Sequence, residues 1–483
     1  MKNILLKIVV LELSFLILSS CKKFVEIDSP TTSISTTDVY NNDATAIGAL
    51  TTLYANLGLA NILSDSEPSS LSCIAGLSAD ELTLYTGQTN FTLQSYYQNS
   101  LIANSYSGYW ATMYARLYGV NSALEGLDSS TKLSPGVKRQ LLGEAKFMRA
   151  FYYFYLVNLY GDVPLVFSTD YTVNAVIGKS PKLEVYKKII DDLQEAQSLL
   201  SSQYLKEDLL TSYPTGSEER VRPTKWAAKA LLARTYLYLK DWANAEIQST
   251  MVIENTNLYE MESVDKAFLK NNQEAIWQIQ SAYPGKNTQE AIAFLPPPSG
   301  PFNNLTVYLS EKLIHGFEQN DKRRVNWISS RSINGVVYLF PFKYKNNTYP
   351  ASSITEYSSV MRLAEQYLIR SEARAELGNL SGGISDIDVV RKRAGISLIK
   401  EVNPGIKKDG LLAVISKERQ VELFTEWGHR WLDLKRTGKI DEVMSTVTPE
   451  KSKGGKWRSF QQYFPISSGE LKANPNLSQT TGY

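Results

Sequence analysis

Two stretches of this 483-residue chain gather the side-chain types that grip a polyol. The first, about 64–108, carries Asp80, Glu81, Tyr85, Gln88, Asn90, Phe91, Gln94, Tyr96 and Tyr97. The second, about 262–358, carries Tyr283, Asn287, Phe294, Phe302, Asn303, Asn304 and Trp327. A sugar presents apolar C–H faces edged by hydroxyls. Flat rings meet those faces, and amide or carboxylate groups held on loops meet the hydroxyls. Asp80, Tyr85, Asn90, Phe91, Tyr96, Tyr97, Tyr283, Phe302, Asn303 and Trp327 are therefore the candidate ligand contacts. The competing reading of each ring is that it packs its own loop onto the helices behind it.

Catalytic chemistry has few residues to draw on. The only histidines are His315 and His429, so zinc sites with two or three histidines and Cys/His nucleophile pairs are excluded in practice. No Gly-x-Ser-x-Gly elbow and no phosphate-cradling glycine loop occurs. A glycosidase needs only two carboxylates at a set separation, and 49 acidic residues leave that alternative open. The expectation is a binding protein without a cofactor, not an enzyme. The sequence leaves bound metal undetermined. Net charge is +2, with no block of Lys or Arg, which argues against a nucleic-acid partner. Cys21 and Cys73 are the only cysteines, and Cys73 reads as a buried thiol.

Helices must position those loops. Ser134-Pro135 reads as an N-cap followed by proline at the first helical position. Leu141, Ala145, Met148, Tyr152, Tyr155 and Leu159 then recur on one helical face, and Gly161-Asp162-Val163-Pro164 ends it. The run Phe151–Tyr155 is helix core by the same spacing. Further on, Trp226, Ala230, Ala233 and Leu237 line a helix, Lys240-Asp241-Trp242 turns the chain, and Ala245 opens a second helix. Tyr367, Arg370, Ala373 and Leu377, the turn Gly378-Asn379-Leu380, and Gly383 repeat that plan. Small residues at these sites let antiparallel helices approach closely, in the manner of a tetratricopeptide unit. Such units bury their apolar faces only by stacking. The predicted fold is mostly α, a superhelix of helix pairs with a loop-rich, short-strand region packed on it. Prolines from Pro284 to Pro350 and alternating pieces such as Val336–Phe340 mark that irregular region.

The N-terminus predicts a destination. Lys2 and Lys7, an apolar run and Leu18-Ser19-Ser20-Cys21 read as a lipoprotein signal, with lipid on the Cys21 sulfur. Residues 4–20 number only 17 and include Lys7 and Glu12, which argues against a transmembrane helix. The expected organisation is a signal at 1–20, a tether at 21–37 and one domain at 38–483. Within it lie a helical core, about 38–261 and 359–445, an insertion, about 262–358, and a tail at 446–483.

Four segments together resemble the SusD/RagB family of outer-membrane nutrient-uptake lipoproteins. They are Cys21–Pro30, Glu144–Pro164, Glu418–Arg436 and a tail with Phe464-Pro-Ile and Asn474–Gln479. The resemblance implies a tetratricopeptide-based fold, a lipid anchor facing the cell exterior, and a SusC-like, TonB-dependent transporter as partner. It implies oligosaccharide cargo, or peptide cargo as in RagB-type relatives. An assembly protein without a ligand is a further alternative. Arg149, Glu422, Arg430, Asp433 and Arg436 lie in these motifs and read as buried ion pairs. Trp427 stands between Glu426 and Gly428, where the family pattern has no residue, and the helix is expected to absorb it.

Overall fold

A computed structural model describes residues 36–59, 70–103, 108–296 and 306–483. Cys21, the leader, the tether before Thr36, and Phe302, Asn303 and Asn304 lie outside the described residues. Along the chain come α1 (Asp43–Gly58), α2 (Leu71–Ser78), β1 (Leu82–Leu84) and α3 (Phe91–Tyr97). Four long helices follow: α4 (Gly108–Ser129), α5 (Pro135–Tyr160), α6 (Lys182–Leu199) and α7 (Lys225–Tyr238). Next come α8 (Trp242–Ile253), β2 (Ala275–Ile279), β3 (Val307–Leu309), β4 (Ile328–Ile333), β5 (Val336–Pro341) and β6 (Ser358–Arg362). The chain returns to helix in α9 (Leu363–Glu376), α10 (Leu380–Ala394), α11 (Lys408–Glu422), α12 (His429–Arg436) and α13 (Ile440–Lys451).

Each helix from α4 to α10 packs on the next across the β2–β6 insertion, α8 meeting α9 directly. This is the stacked arrangement the repeat pattern predicts. Ser134 and Pro135 open α5, and Gly161, at φ +80°, closes it. Phe151 to Tyr155 are fully buried. In the α7–α8 turn Lys240 adopts φ +59° and Asp241 Oδ1 accepts from the Asn244 amide at 3.2 Å. That cap starts α8 at Trp242 itself, three residues earlier than the position of Ala245 suggested. In the α9–α10 pair, a Cβ on Gly383 would stand 3.0 Å from the Ser371 carbonyl oxygen. Only glycine lets the two backbones approach so closely.

The motif residues pair as expected and tie distant segments together. Arg149 forks Asp192 through two bonds of 2.8 Å, clamping α5 to α6. Arg234 of α7 forks Glu365 of α9 at 2.7 and 2.6 Å. Glu422 is the hub of a buried cluster. It accepts from Arg362 at 2.5 Å, from Arg323 at 2.9 Å, and from Arg393. Breaking a buried pair of this kind costs about 3–5 kcal/mol, because the remaining charge is left uncompensated.

The helix does not absorb Trp427. It ends at Glu422 and restarts at His429, with Thr425, Trp427 and Gly428 all at positive φ. Trp427 fills the break, fully packed. Its indole Nε1 donates to the Ser359 carbonyl at 2.9 Å, and its amide donates to Ser72 Oγ at 3.1 Å. Lys343 enters the same break from the insertion. It donates to the carbonyls of Glu422 and Phe424 and to Glu426, and burial brings its ammonium down to about 8.

Candidate functional site

The strands near residue 84 and residue 308 meet although they are far apart in sequence. β1 and β3 pair antiparallel with Thr83 opposite Tyr308. Alternation then decides direction. Leu82, Leu84, Val307 and Leu309 face the core, while Thr83, Tyr85 and Tyr308 face outward, half-buried. The β4–β5 hairpin turns at Asn334-Gly335, both at positive φ, as a tight two-residue hairpin requires. It delivers Tyr338 onto the same surface. The Tyr338 ring meets Tyr85 edge-on at 5.3 Å and Tyr308 edge-on at 5.1 Å. Tyr97 of α3 joins them through a hydrogen bond with the Thr83 side chain, and the Lys451 ammonium stands 5.2 Å from its ring. The result is a cluster of four half-buried tyrosines. Edge-to-face packing orders the rings of Tyr85, Tyr308 and Tyr338, and part of each of the four rings stays exposed, which suits a sugar face.

Of the residues proposed from sequence, Tyr85 and Tyr97 belong to this cluster. Phe91, the first residue of α3, is 64% exposed, and Asn90 caps that helix by accepting from the Leu93 amide at 3.1 Å. Tyr283 is 40% exposed but stands elsewhere, beside Lys286, whose ammonium lies 4.2 Å from the Tyr283 ring and 5.4 Å from that of Tyr349. Tyr349 is itself 58% exposed.

Three expectations are corrected. Trp327 is buried, its Nε1 donating to the Val264 carbonyl at 2.7 Å and its face holding Lys343 and Arg393. Tyr96 is buried edge-on against Phe464 at 5.1 Å. Asp80 is buried in a fork with Arg430, which holds its carboxyl below the usual range against the opposing effect of burial. None of the three side chains presents a surface to a ligand. Asn287 and Phe294 are also buried. Tyr308, Tyr338 and Tyr349 were missed. The alternation Val307-Tyr308-Leu309 and the Asn334-Gly335 turn were the available signals for the first two. Among the described residues, no group of three or more His, Cys, Asp or Glu side chains is gathered for a metal ion. Cys73 is a buried free thiol, pushed up to about 12 by desolvation.

A stack of helix pairs bearing a short-strand insertion, with an aromatic surface where the strands meet, defines a helical-repeat scaffold of the tetratricopeptide-like class. Two family profiles match the chain. One, described as the SusD family, covers residues 246–483. The other, described as starch-binding associating with outer membrane, covers residues 59–237. The chain belongs to the SusD family. SusD-like protein P25 of Formosa agariphila is 26% identical over 452 residues, covering 80% of this chain and 82% of that relative. A solved laminarin-binding SusD-like protein superposes with a TM-score of 0.75 at 22% identity, covering 92% of this chain and 100% of that one. Surface glycan-binding protein A from Bacteroides fluxus gives 0.73 at 21% identity, covering 91% and 99%.

Proposed function

We propose that this protein captures oligosaccharides at the cell surface and passes them to a SusC-like, TonB-dependent outer-membrane transporter, held there by lipid on Cys21. The tyrosine cluster of Tyr85, Tyr97, Tyr308 and Tyr338 carries the reading. Its rings come from four separate elements and present polar edges beside apolar faces, the pairing a sugar ring requires. Membership of a family with a laminarin-binding and a glycan-binding neighbour supports the same reading. The few groups suited to catalysis favour binding without bond cleavage. His429 is buried against Glu365, and burial keeps it neutral, with its pKa lowered to about 4.

Isothermal titration of the purified protein against a panel of neutral oligosaccharides tests this. Heat with at least one glycan, with affinity weakened several-fold in Tyr308→Ala and in Tyr338→Ala, is the expected result. No heat with any member, or binding of extended peptides in its place, sinks the glycan reading. Mass spectrometry of the N-terminus separately tests the lipid on Cys21, and co-purification from outer membranes tests the transporter partnership.

A further inference from the structure

Two loops of the insertion, around Gly285 and around Pro350, are clipped to each other. The Ala351 amide donates to the Gly285 carbonyl at 2.7 Å. Gly285 adopts φ +76°, and a Cβ on it would stand 3.1 Å from Pro350, so the two chains meet at contact distance. Asn287 is buried and ties the first loop to the chain leading into β6. Its Oδ1 accepts from the amides of Thr355 and Glu356 at 2.8 and 3.0 Å. Each loop presents one exposed tyrosine beside the clip, Tyr283 from the first and Tyr349 from the second.

The half-buried Lys286 places its ammonium by both rings, 4.2 Å from the Tyr283 centroid and 5.4 Å from that of Tyr349. The rings attract the cation through their quadrupoles, but they carry no net charge and do not neutralise it. Among the described residues no carboxylate does so either. Partial burial lowers this ammonium below the ordinary lysine range, and no acidic neighbour opposes that shift. Lys343 shows what a completed cradle of this kind contains. Its ammonium lies 4.8 Å from the Trp327 ring and 4.0 Å from that of Phe424, and the Glu426 carboxylate accepts from it. At Lys286 the aromatic half of such a cradle is built on an exposed surface, and no side chain among the described residues supplies the anionic half.

We propose that Tyr283, Lys286 and Tyr349 form a second saccharide site, selective for a sugar that carries an anionic group. A C–H face of the sugar packs on the exposed part of a tyrosine ring, and the anionic substituent pairs with the ammonium. An ammonium is a point charge without the planar fork of arginine, so a ring carboxylate and a sulfate ester satisfy it alike. The clip between the loops fixes both rings before a ligand arrives, which limits the entropy lost on binding. The class of ligand rests on the glycan reading above, whereas the site shares no residue with the cluster of Tyr85, Tyr97, Tyr308 and Tyr338.

Titration calorimetry of the purified protein with digalacturonate, a monosulfated galactose disaccharide and the neutral galactose disaccharide tests the site. At least one charged sugar should bind about three- to tenfold more tightly than the neutral one, the span expected for one half-buried charge-assisted contact. Added salt should reduce that preference. Lys286→Met keeps the stem beside the rings and removes the charge, so it should abolish the preference and leave the neutral affinity unchanged. Tyr349→Ala, at an exposed loop position, should weaken the charged sugar several-fold. The double variant Tyr308→Ala/Tyr338→Ala should keep the preference, because it alters only the other surface. Equal affinity for charged and neutral sugars, a preference that survives Lys286→Met, or one lost in Tyr308→Ala/Tyr338→Ala overturns the proposal. No heat with any of the three sugars overturns it as well, while the panel of neutral oligosaccharides decides the glycan reading separately.

Discussion

Arg430 donates through Nε and Nη2 to both carboxylate oxygens of Asp80, each at 2.7 Å, across 350 positions of sequence. The pair joins α12 to the turn between α2 and β1, and so fixes the strand that leads into Tyr85. Asp80 is buried and the Arg430 side chain is 12% exposed, so geometry more than screening by salt sets the strength of the pair.

Asp80→Ala leaves the Arg430 guanidinium buried without its partner. A loss of about 3–5 kcal/mol in denaturant unfolding is expected. A loss within about 0.5 kcal/mol would mean the pair is solvated in solution.

Trp327→Ala removes a buried ring and its 2.7 Å bond to Val264. The expected cost is about 3–5 kcal/mol of unfolding free energy. Tyr338→Ala removes a half-buried ring that two other tyrosines contact. It should weaken glycan binding by about 1 kcal/mol, several-fold in affinity, by calorimetry. Together the two variants separate core aromatics from surface aromatics.

Gly383→Val places a branched side chain where even a Cβ stands 3.0 Å from a carbonyl oxygen. The α9–α10 pair must spread, and a loss of about 1–3 kcal/mol is expected by thermal or denaturant unfolding.

Burial lowers His429 from 6.5 to about 4, although Glu365, with its nearest oxygen at 3.9 Å, favours the charged form. The unfolded chain therefore takes up a proton near pH 6.5 that the folded chain refuses until about pH 4. The stability contributed by the neutral imidazole is present above pH 6.5 and is lost as pH falls towards 4. At about 1.4 kcal/mol per unit the loss reaches roughly 3 kcal/mol at most. Denaturant unfolding at several pH values should show this slope, and His429→Gln should remove it.

The helices were legible because their signals are local. Ser134-Pro135 and Gly161 bound α5 by backbone preference alone, and the spacing of Leu141 to Leu159 gives the buried face. Gly383 and Ala245 mark close helix approaches, because only small residues permit them. The pairing of motif charges followed from a general rule, that charges carried among aromatics on packed helices are buried with partners. Trp427 shows the limit of local reading. Whether an extra residue stays in a helix or opens a loop depends on what the new backbone and ring can meet, here Ser72 and Ser359.

The sequence by itself determined the helix pairs, their caps and turns, and the residue types available for binding, since these depend on neighbours within a few positions. Only the tertiary structure decided which aromatics face water. Trp327 and Tyr338 lie in the same proline-rich insertion, and burial separates them because Trp327 is enclosed by partners such as Val264 and Lys343 while Tyr338, packed edge-on against Tyr85 and Tyr308, stays half-buried. Exposure is a property of what arrives from elsewhere in the chain, and no local pattern of residues encodes it.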